Sequence, residues 1–259
     1  MDCRDIEWAA FLFNAMGEDG YYINDLRDVQ KKIKDSESKE KSDIGEAVIT
    51  FLNHWRSRAS NNLKGEIEKW YDQKRDELDD LPFCLPNVDL DDKSIEDIIK
   101  HLYGSLVCIT GIGDTIASKI LHILKPDLFV PWDIPIRIWY HSQKNQVNNK
   151  QEDTVDEYFL FLKEMQSSAK YLMDQDKNFV SDLNSRVKVL YEGNLEKLRR
   201  YKTKLADKPN RELDEKIGSY ETMVDFMERG KTIAKYLDEY NWITITNGVK
   251  IPPEWSPGQ

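Results

Sequence analysis

Two apolar stripes with helical spacing, separated by Gly111-Ile112-Gly113, constrain the fold of this chain more than any other feature. Apolar residues recur every three or four positions on both sides of the glycines, which predicts one amphipathic helix before them and another after them. The stripes consist of Ile95, Ile98, Ile99, Leu102 and Leu106, and of Ile116, Ala117, Ile120, Leu121 and Leu124. Because the connection between them is so short, we expect the two helices to pack as a hairpin.

The tight connection also predicts an anion site. The first amides of a helix have no intrahelical acceptor, and the helix dipole favours negative charge at that end. The amides around Gly111 and Gly113, at the start of the second helix, therefore suit a phosphate group. This chemistry points to a nucleic-acid backbone as a ligand.

At residues 106–137 the chain resembles the helix-hairpin-helix, Gly/Pro-rich-loop, aspartate (HhH-GPD) superfamily of DNA base-excision glycosylases. The motif positions are Ile109-Thr110, Gly111-Ile112-Gly113, Ala117, the Pro-rich loop from Pro126 to Pro131, and Asp133 at the start of the next helix. The separation between the hairpin and the aspartate also matches the family. This resemblance covers about an eighth of the chain.

The resemblance assigns the catalytic role to Asp133. Cleavage of an N-glycosidic bond builds positive charge on the sugar, and a nearby carboxylate stabilises that charge and helps to orient or deprotonate water. An aspartate followed by Ile134-Pro135 is also typical of a helix N-cap. The two roles are compatible, because a cap position exposes the carboxylate at the start of a helix.

The resemblance assigns DNA contacts to Gly111, Gly113, Thr115, Lys119 and Arg137. Family members that also cut the strand carry a lysine two residues after the second hairpin glycine, and here that position is Thr115. The lack of an amine at this position implies a monofunctional enzyme that uses water rather than a Schiff base. We interpret Lys119, one helical turn further on, as a solvent-facing or phosphate-contacting lysine.

A flipped base needs an aromatic wall and polar groups that read its edge. Trp132 directly precedes Asp133 and is the first candidate for the wall. Tyr21, which we place in a Gly-flanked turn after the first helix, is the second. His141 is a candidate to orient water or to donate a proton to the leaving base. Core packing is the alternative for the two aromatic residues, and an ordinary surface position is the alternative for the histidine.

The net charge of −10 argues against a general nucleic-acid-binding surface. Positive charge is nevertheless concentrated locally, because residues 101–150 hold five basic and three acidic side chains, a net +2 that leaves −12 on the rest. A second basic stretch, residues 186–208, holds eight basic against three acidic side chains. It is either a solvated helix face, which we favour, or a further DNA contact.

Helical spacing continues through most of the chain, so the sequence predicts a mostly α fold. The clearest stripes cover residues 3–16, 65–81 and 155–172. Near the C-terminus, the alternating segment WITITNGVKI around Asn247-Gly248 predicts a small β-hairpin.

The resemblance further implies two helical subdomains that flank a cleft. Residues 20–131 would form the first subdomain and end in the helix-hairpin-helix motif. Residues 1–19 together with 132–259 would form the second and carry the small terminal β-hairpin.

No metal site is expected from the sequence. Cys3, Cys84 and Cys108 are too few and too scattered for a four-cysteine iron–sulfur site, and the four histidines lack metal-site spacing. We therefore expect no cofactor, with a monovalent cation at the hairpin left open. The sequence has no apolar run long enough to span a membrane and no signal peptide, so we expect a soluble cytoplasmic protein without a membrane partner.

Two classes of function follow. The first is a monofunctional DNA glycosylase that removes a damaged or modified base from double-stranded DNA. The second is a non-catalytic helix-hairpin-helix module for DNA binding or assembly, which the acidic composition favours. A purely structural helical corner in an unrelated acidic protein is a third, weaker interpretation.

Overall fold

A computed structural model describes residues 1–36, 43–145, 154–204 and 210–252. Within these ranges the chain forms eleven α-helices and no strand. The helices are α1 Cys3–Ala15, α2 Glu18–Ser36, α3 Gly45–His54, α4 Lys64–Asp80, α5 Lys93–Val107, α6 Asp114–Leu124, α7 Ile134–Asn145, α8 Thr154–Gln175, α9 Phe179–Lys204, α10 Arg211–Phe226 and α11 Ile233–Asn241. The predicted mostly α fold is confirmed, and none of the described helices is long and apolar enough to cross a membrane.

The predicted C-terminal β-hairpin is wrong. Residues Trp242–Thr246 extend α11 as one π-helical turn, in which the amide of Asn247 donates to the carbonyl of Trp242 at 3.0 Å. Gly248, with a φ of 63°, ends this turn. An Asn-Gly pair supplies left-handed backbone both to a hairpin turn and to a helix end, so the dipeptide does not distinguish between them. Here Ile243 is buried, which keeps the segment helical and packed on the protein.

The predicted turn at Tyr21 is also wrong. The chain turns earlier, at Gly17, whose φ of 80° is the left-handed conformation that favours glycine. Tyr21 and Tyr22 therefore lie inside α2. Gly20 is helical as well, and its missing side chain leaves room for Ser219.

The hydrophobic core of the described residues consists of one large cluster that runs from Ile6 to Leu237 and two small clusters, one of Ala9, Phe13 and Ile243 and one of Leu195, Leu213 and Ile217. Helix α1 packs on α11, α2 packs on α3 and α10, and the hairpin helices α5 and α6 pack on each other. Residues from both predicted subdomains contribute to this core, and the division into 20–131 and 1–19 plus 132–259 stays a prediction.

A connected group of buried charges lies within this core. The ammonium of Lys231 is 2.6 Å from Asp19 and 2.9 Å from Glu239, and all three side chains are almost fully buried. The ammonium of Lys235 is 2.7 Å from Asp238 and 3.8 Å from Glu239. These three carboxylates and two ammonium groups join α2 to α11, and we refer to them below as the buried charge cluster.

The break between α10 and α11 positions Lys231, one member of this cluster. Gly230 has a φ of 80°, and a Cβ at this position would lie 2.3 Å from the side-chain nitrogen of Asn184. That amide donates to the carbonyl of Lys231 at 2.9 Å and accepts from its amide at 2.8 Å. The glycine therefore separates α10 from α11.

Candidate functional site

The connection between α5 and α6 is a tight, exposed turn. Gly111 has a φ of 94°, so the turn depends on a glycine there. Gly113 caps α6 in an extended conformation, and no side chain accepts from the first-turn amides. Ile112 is buried, whereas both glycines are exposed. The turn thus presents the backbone of its glycines and the start of α6 to solvent.

The first residue of α6 carries a carboxylate that is already paired within the chain. Asp114, the first residue of α6, accepts a hydrogen bond from the Tyr103 hydroxyl at 3.0 Å and forms an ion pair with Arg137 of α7. A carboxylate at the start of a helix stabilises the local dipole. The predicted DNA contact Arg137 is therefore already paired within the chain, and its charge is largely compensated.

Asp133 caps α7. Its carboxylate accepts from the amide of Ile136 at 3.1 Å and from the hydroxyl of Thr246 at 2.9 Å. Burial raises the pKa of the Asp133 carboxyl above its usual range, and these two hydrogen bonds oppose the rise. The cap thus orients the carboxylate, while its half-buried position makes its ionised form more costly than in water.

A pocket with about 500 Å³ of empty space, counted to its open mouth, lies beside this carboxylate. The apolar part of its lining comprises Phe13, Trp55, Pro131, Ile136 and Trp242. The polar part comprises Glu18, His54, Arg56, Lys119, Asp133 and Asp238. These residues come from both segments that the sequence assigns to separate subdomains.

Lys119 reaches into this pocket from α6. Its amine donates to the carbonyl of Trp55 at 2.9 Å and to the hydroxyl of Ser57 at 3.0 Å, and it lies 5.6 Å from the Trp55 ring centroid. Burial lowers the pKa of the Lys119 ammonium, although the charges of Asp133 and Asp238 oppose that change. The side chain is thus directed inward, whereas the sequence interpretation gave it a solvent-facing or phosphate-contacting position.

Asp238 is a second carboxylate in the pocket lining. It is almost fully buried, and the ammonium of Lys235 holds it at 2.7 Å. That ammonium also lies 4.2–4.5 Å from the ring centroids of Phe13, Tyr22 and Trp55. Cation–π attraction to these three rings fixes the position of Lys235, and the ion pair with Lys235 fixes that of Asp238.

The residues proposed for a base pocket do not line this pocket in the described part of the chain. Trp132 is buried below the hairpin, where its indole N–H donates to the Tyr103 hydroxyl at 3.2 Å. Tyr21 is exposed and packs against His54 with ring centroids 5.3 Å apart. His141 lies 3.0 Å from Glu157. Thr115 is half-buried in the first turn of α6.

Sequence reasoning missed most of the pocket lining, including Trp55 and Asp238, and it missed Thr246, which donates to the Asp133 carboxylate. Trp55 is the last residue of an apolar stripe of helical spacing that also contains Ile44, Val48, Phe51 and Leu52, a pattern that indicates core packing rather than a site. Asp238 and Thr246 lie far from Asp133 in sequence. Thr246 reaches its carboxylate because the π-helical extension of α11 packs beside α7. The incorrect hairpin prediction did not place Thr246 next to Asp133, because a strand would direct the side chains of residues 242–246 differently.

No group of three or more metal-ligating side chains is found among the described residues. Comparisons of the chain with protein-family models, with curated proteins and with solved structures give no match. The pocket and the adjacent hairpin are therefore the features from which a function can be argued.

Proposed function

We propose that this protein hydrolyses the N-glycosidic bond of a damaged or modified base in double-stranded DNA. The observation that carries the proposal is the position of Asp133. Its carboxylate lines an open pocket, and the segment that bears it returns to the first turns of α6, where the Trp132 amide donates to the Ser118 hydroxyl and Arg137 pairs with Asp114. A phosphate bound at Gly111–Gly113 would therefore lie near a carboxylate that faces a pocket.

The chemistry follows from how Asp133 is held. Departure of the base leaves positive charge on the sugar, and an oriented carboxylate stabilises that charge without further reorganisation. The hydrogen bonds from Ile136 and Thr246 fix the carboxylate and leave lone pairs to accept a proton from water. Because burial raises the pKa of Asp133, the group also becomes a better base than an exposed aspartate.

In this proposal DNA is bound by backbone amides rather than by charged side chains. Exposed Gly111 and Gly113 allow a strand to approach closely, and the dipole of α6 favours a phosphate. Asp114 weakens that attraction, and its ion pair with Arg137 compensates part of the weakening. We therefore expect binding of modest affinity with a shallow salt dependence, because few lysine or arginine side chains would release counterions from the phosphates.

The test incubates the protein with duplexes that each carry one modified base and then applies alkali to reveal abasic sites. Asp133→Asn should lower base release by about 10²–10⁴-fold, the range for loss of a positioned acid–base group. Binding of the same duplex should change little. Base release at the wild-type rate by Asp133→Asn would remove Asp133 from the mechanism.

Asp127→Asn is a matched control. Asp127 lies six positions away, and burial raises its pKa as it does that of Asp133, but Asp127 lines a different cavity. The control variant should therefore keep the wild-type rate. Equal losses in both variants would indicate a general effect of removing a partly buried carboxylate.

A non-catalytic helix-hairpin-helix module for DNA binding or assembly is the second candidate. The ion pair between Asp114 and Arg137, the inward direction of Lys119 and the net charge of −10 favour it over an enzyme that must hold DNA firmly, because they reduce the positive charge available at the hairpin. In that case the duplexes would bind at low salt, and no modified base in the panel would be released.

A further inference from the structure

We propose that His54, held by the buried carboxylate of Asp25, is the general acid that protonates the departing base in the pocket of Asp133. The assignment rests on the proposed function and adds a substrate class to it. A base that needs a proton from the protein in order to leave is one that is neutral in DNA. The role that the sequence gave to His141 thus passes to a histidine that the sequence did not single out.

The side chains of His54 and Asp25 form a close pair between two helices. His54 is the last residue of α3, and its ring nitrogen Nδ1 lies 2.9 and 3.0 Å from the two carboxylate oxygens of Asp25 on α2. An ionised carboxylate only accepts hydrogen bonds, so Nδ1 carries the hydrogen in this contact. Nε2 is therefore the ring nitrogen that remains for a ligand.

The pair combines a buried carboxylate with an accessible imidazole. The Asp25 side chain is 5% exposed, whereas that of His54 is 43% exposed. Burial raises the pKa of the Asp25 carboxyl, and the hydrogen bond and the charge of His54 oppose that rise. Positive charge on the ring therefore stabilises the buried carboxylate, and the negative end of the α3 dipole lies beside the same ring. The exposed part of the ring can exchange its Nε2 proton with solvent.

His54 lines the pocket that contains Asp133. The ring of Tyr21 packs against the imidazole with centroids 5.3 Å apart, which restricts the orientation of the histidine. Arg56 also lines the pocket, and its ion pair with Glu18 at 3.1 Å partly compensates the positive charge near His54. In this proposal a nucleotide in the pocket meets the Asp133 carboxylate with its sugar and the His54 imidazole with its base.

Two other histidines among the described residues also lie beside carboxylates. His101 is 3.0 Å from Glu77, whose side chain is 31% exposed, and His141 is 3.0 Å from a glutamate that is 13% exposed. Neither His101 nor His141 lines the pocket. His54 differs from both in its more buried carboxylate partner and in its position at the pocket.

The proposed reaction divides two proton transfers between His54 and Asp133. The C1′–N bond breaks, and its electron pair moves to the nitrogen of the base. The protonated His54 ring gives its Nε2 proton to the base, which departs as a neutral molecule. Water adds to C1′ of the positively charged sugar, and its proton passes to Asp133. Asp133 then loses a proton to solvent and His54 regains one, so that no oxidant or reductant is consumed.

The experiment compares two bases that differ in their need for a proton. Hypoxanthine is neutral in the duplex and leaves as an anion unless it is protonated, whereas 7-methylguanine is cationic and leaves as a neutral molecule. The full-length protein is incubated with a duplex of each kind, and alkali reveals base release. His54→Gln should slow release of hypoxanthine by about 10²–10⁴-fold and should change release of 7-methylguanine little. Asp133→Asn should slow both, because positive charge develops on the sugar in either case.

Two further variants separate this role from a structural one. Asp25→Asn keeps the shape of the pair and removes its negative charge, so it should also slow hypoxanthine release selectively. His101→Gln is the matched control for loss of a histidine beside a carboxylate, and it should leave both rates unchanged. In each preparation the 7-methylguanine rate measures the amount of folded enzyme. If His54→Gln fails to fold, Asp25→Asn supplies the same comparison.

The outcomes distinguish this inference from the proposed function. Equal slowing of both bases in His54→Gln, or no slowing of hypoxanthine release, would overturn the inference and leave the glycosylase intact. Release of cationic bases alone by the wild-type protein would also overturn it, because no proton donor is then required. If the protein releases another neutral base of the panel faster than hypoxanthine, that base takes its place in the comparison. Release of no base from any duplex would contradict the proposed function itself.

Discussion

The buried ion pair between Lys235 and Asp238 predicts a loss of stability whose size follows from its burial. Lys235→Met removes an ammonium group that is 1% exposed and 2.7 Å from Asp238. Removing one partner of a buried pair costs about 3–5 kcal/mol, because the remaining charge has no compensating partner. Methionine keeps the contact with Phe13, Tyr22 and Trp55, so little of this loss would come from packing.

The loss of stability in Lys235→Met should also depend on pH. Burial raises the pKa of Glu239 to about 7, and the charge of Lys235 opposes that rise. Without Lys235 the Glu239 carboxyl would hold its proton to higher pH. The loss of stability in Lys235→Met should therefore be larger on the alkaline side of pH 7 than on the acidic side.

Urea unfolding, followed by tryptophan fluorescence, measures this loss directly. The double variant Lys235→Met/Asp238→Leu should recover most of the stability, since it removes both charges of the pair. A cost below about 1 kcal/mol for the single variant, within the range of ordinary substitutions, would refute the reasoning. Failure of the double variant to recover would assign the loss to packing instead of charge.

Three further predictions concern the break before α11, the cap at Asp133 and the buried charge cluster. Gly230→Ala should lower the unfolding free energy by about 1–3 kcal/mol, because φ is 80° and the new Cβ would lie 2.3 Å from the side-chain nitrogen of Asn184. Gly218→Ala is the control, since its surroundings are open, and it should raise the unfolding free energy by about 0.5–1 kcal/mol. Thermal unfolding of the two variants measures the difference. Thr246→Val removes a hydrogen bond that lowers the pKa of Asp133, so that pKa should rise in an NMR titration, and an unchanged value would contradict the contact. The unfolding free energy of the wild-type protein should fall as pH rises from 4.5, the usual glutamate pKa, to about 7, because the folded state keeps the Glu239 proton over this interval and the unfolded state loses it. Glu239→Gln should make the unfolding free energy less dependent on pH in urea melts across the same interval.

Local patterns in the sequence predicted most of the helices. The stripes around Gly111–Gly113, at 65–81 and at 155–172 all correspond to helices, because burial of one face is recorded directly in residue spacing. The cap at Asp133 was also predictable, since an aspartate before Ile-Pro favours the start of a helix.

Turn residues and long-range contacts limited the prediction elsewhere. Gly17 and Gly20 both lie near Tyr21, and only the packing of α2 selects the first as the turn. Asn247-Gly248 ends a helix because Ile243 is buried, a fact that spacing alone does not contain. The direction of Lys119 depends on the loop after α3, which is distant in sequence.

The most direct test of the central claim measures how Asp133 interacts with a positively charged sugar. Duplexes with a protonated pyrrolidine or with an uncharged tetrahydrofuran at one abasic position differ in charge but little in shape. If the Asp133 carboxylate stabilises developing positive charge, the wild-type protein should bind the pyrrolidine duplex at least about tenfold more tightly, equal to 1.4 kcal/mol. Asp133→Asn should lose that preference. Equal affinity of the wild-type protein for both duplexes would contradict the assignment of Asp133.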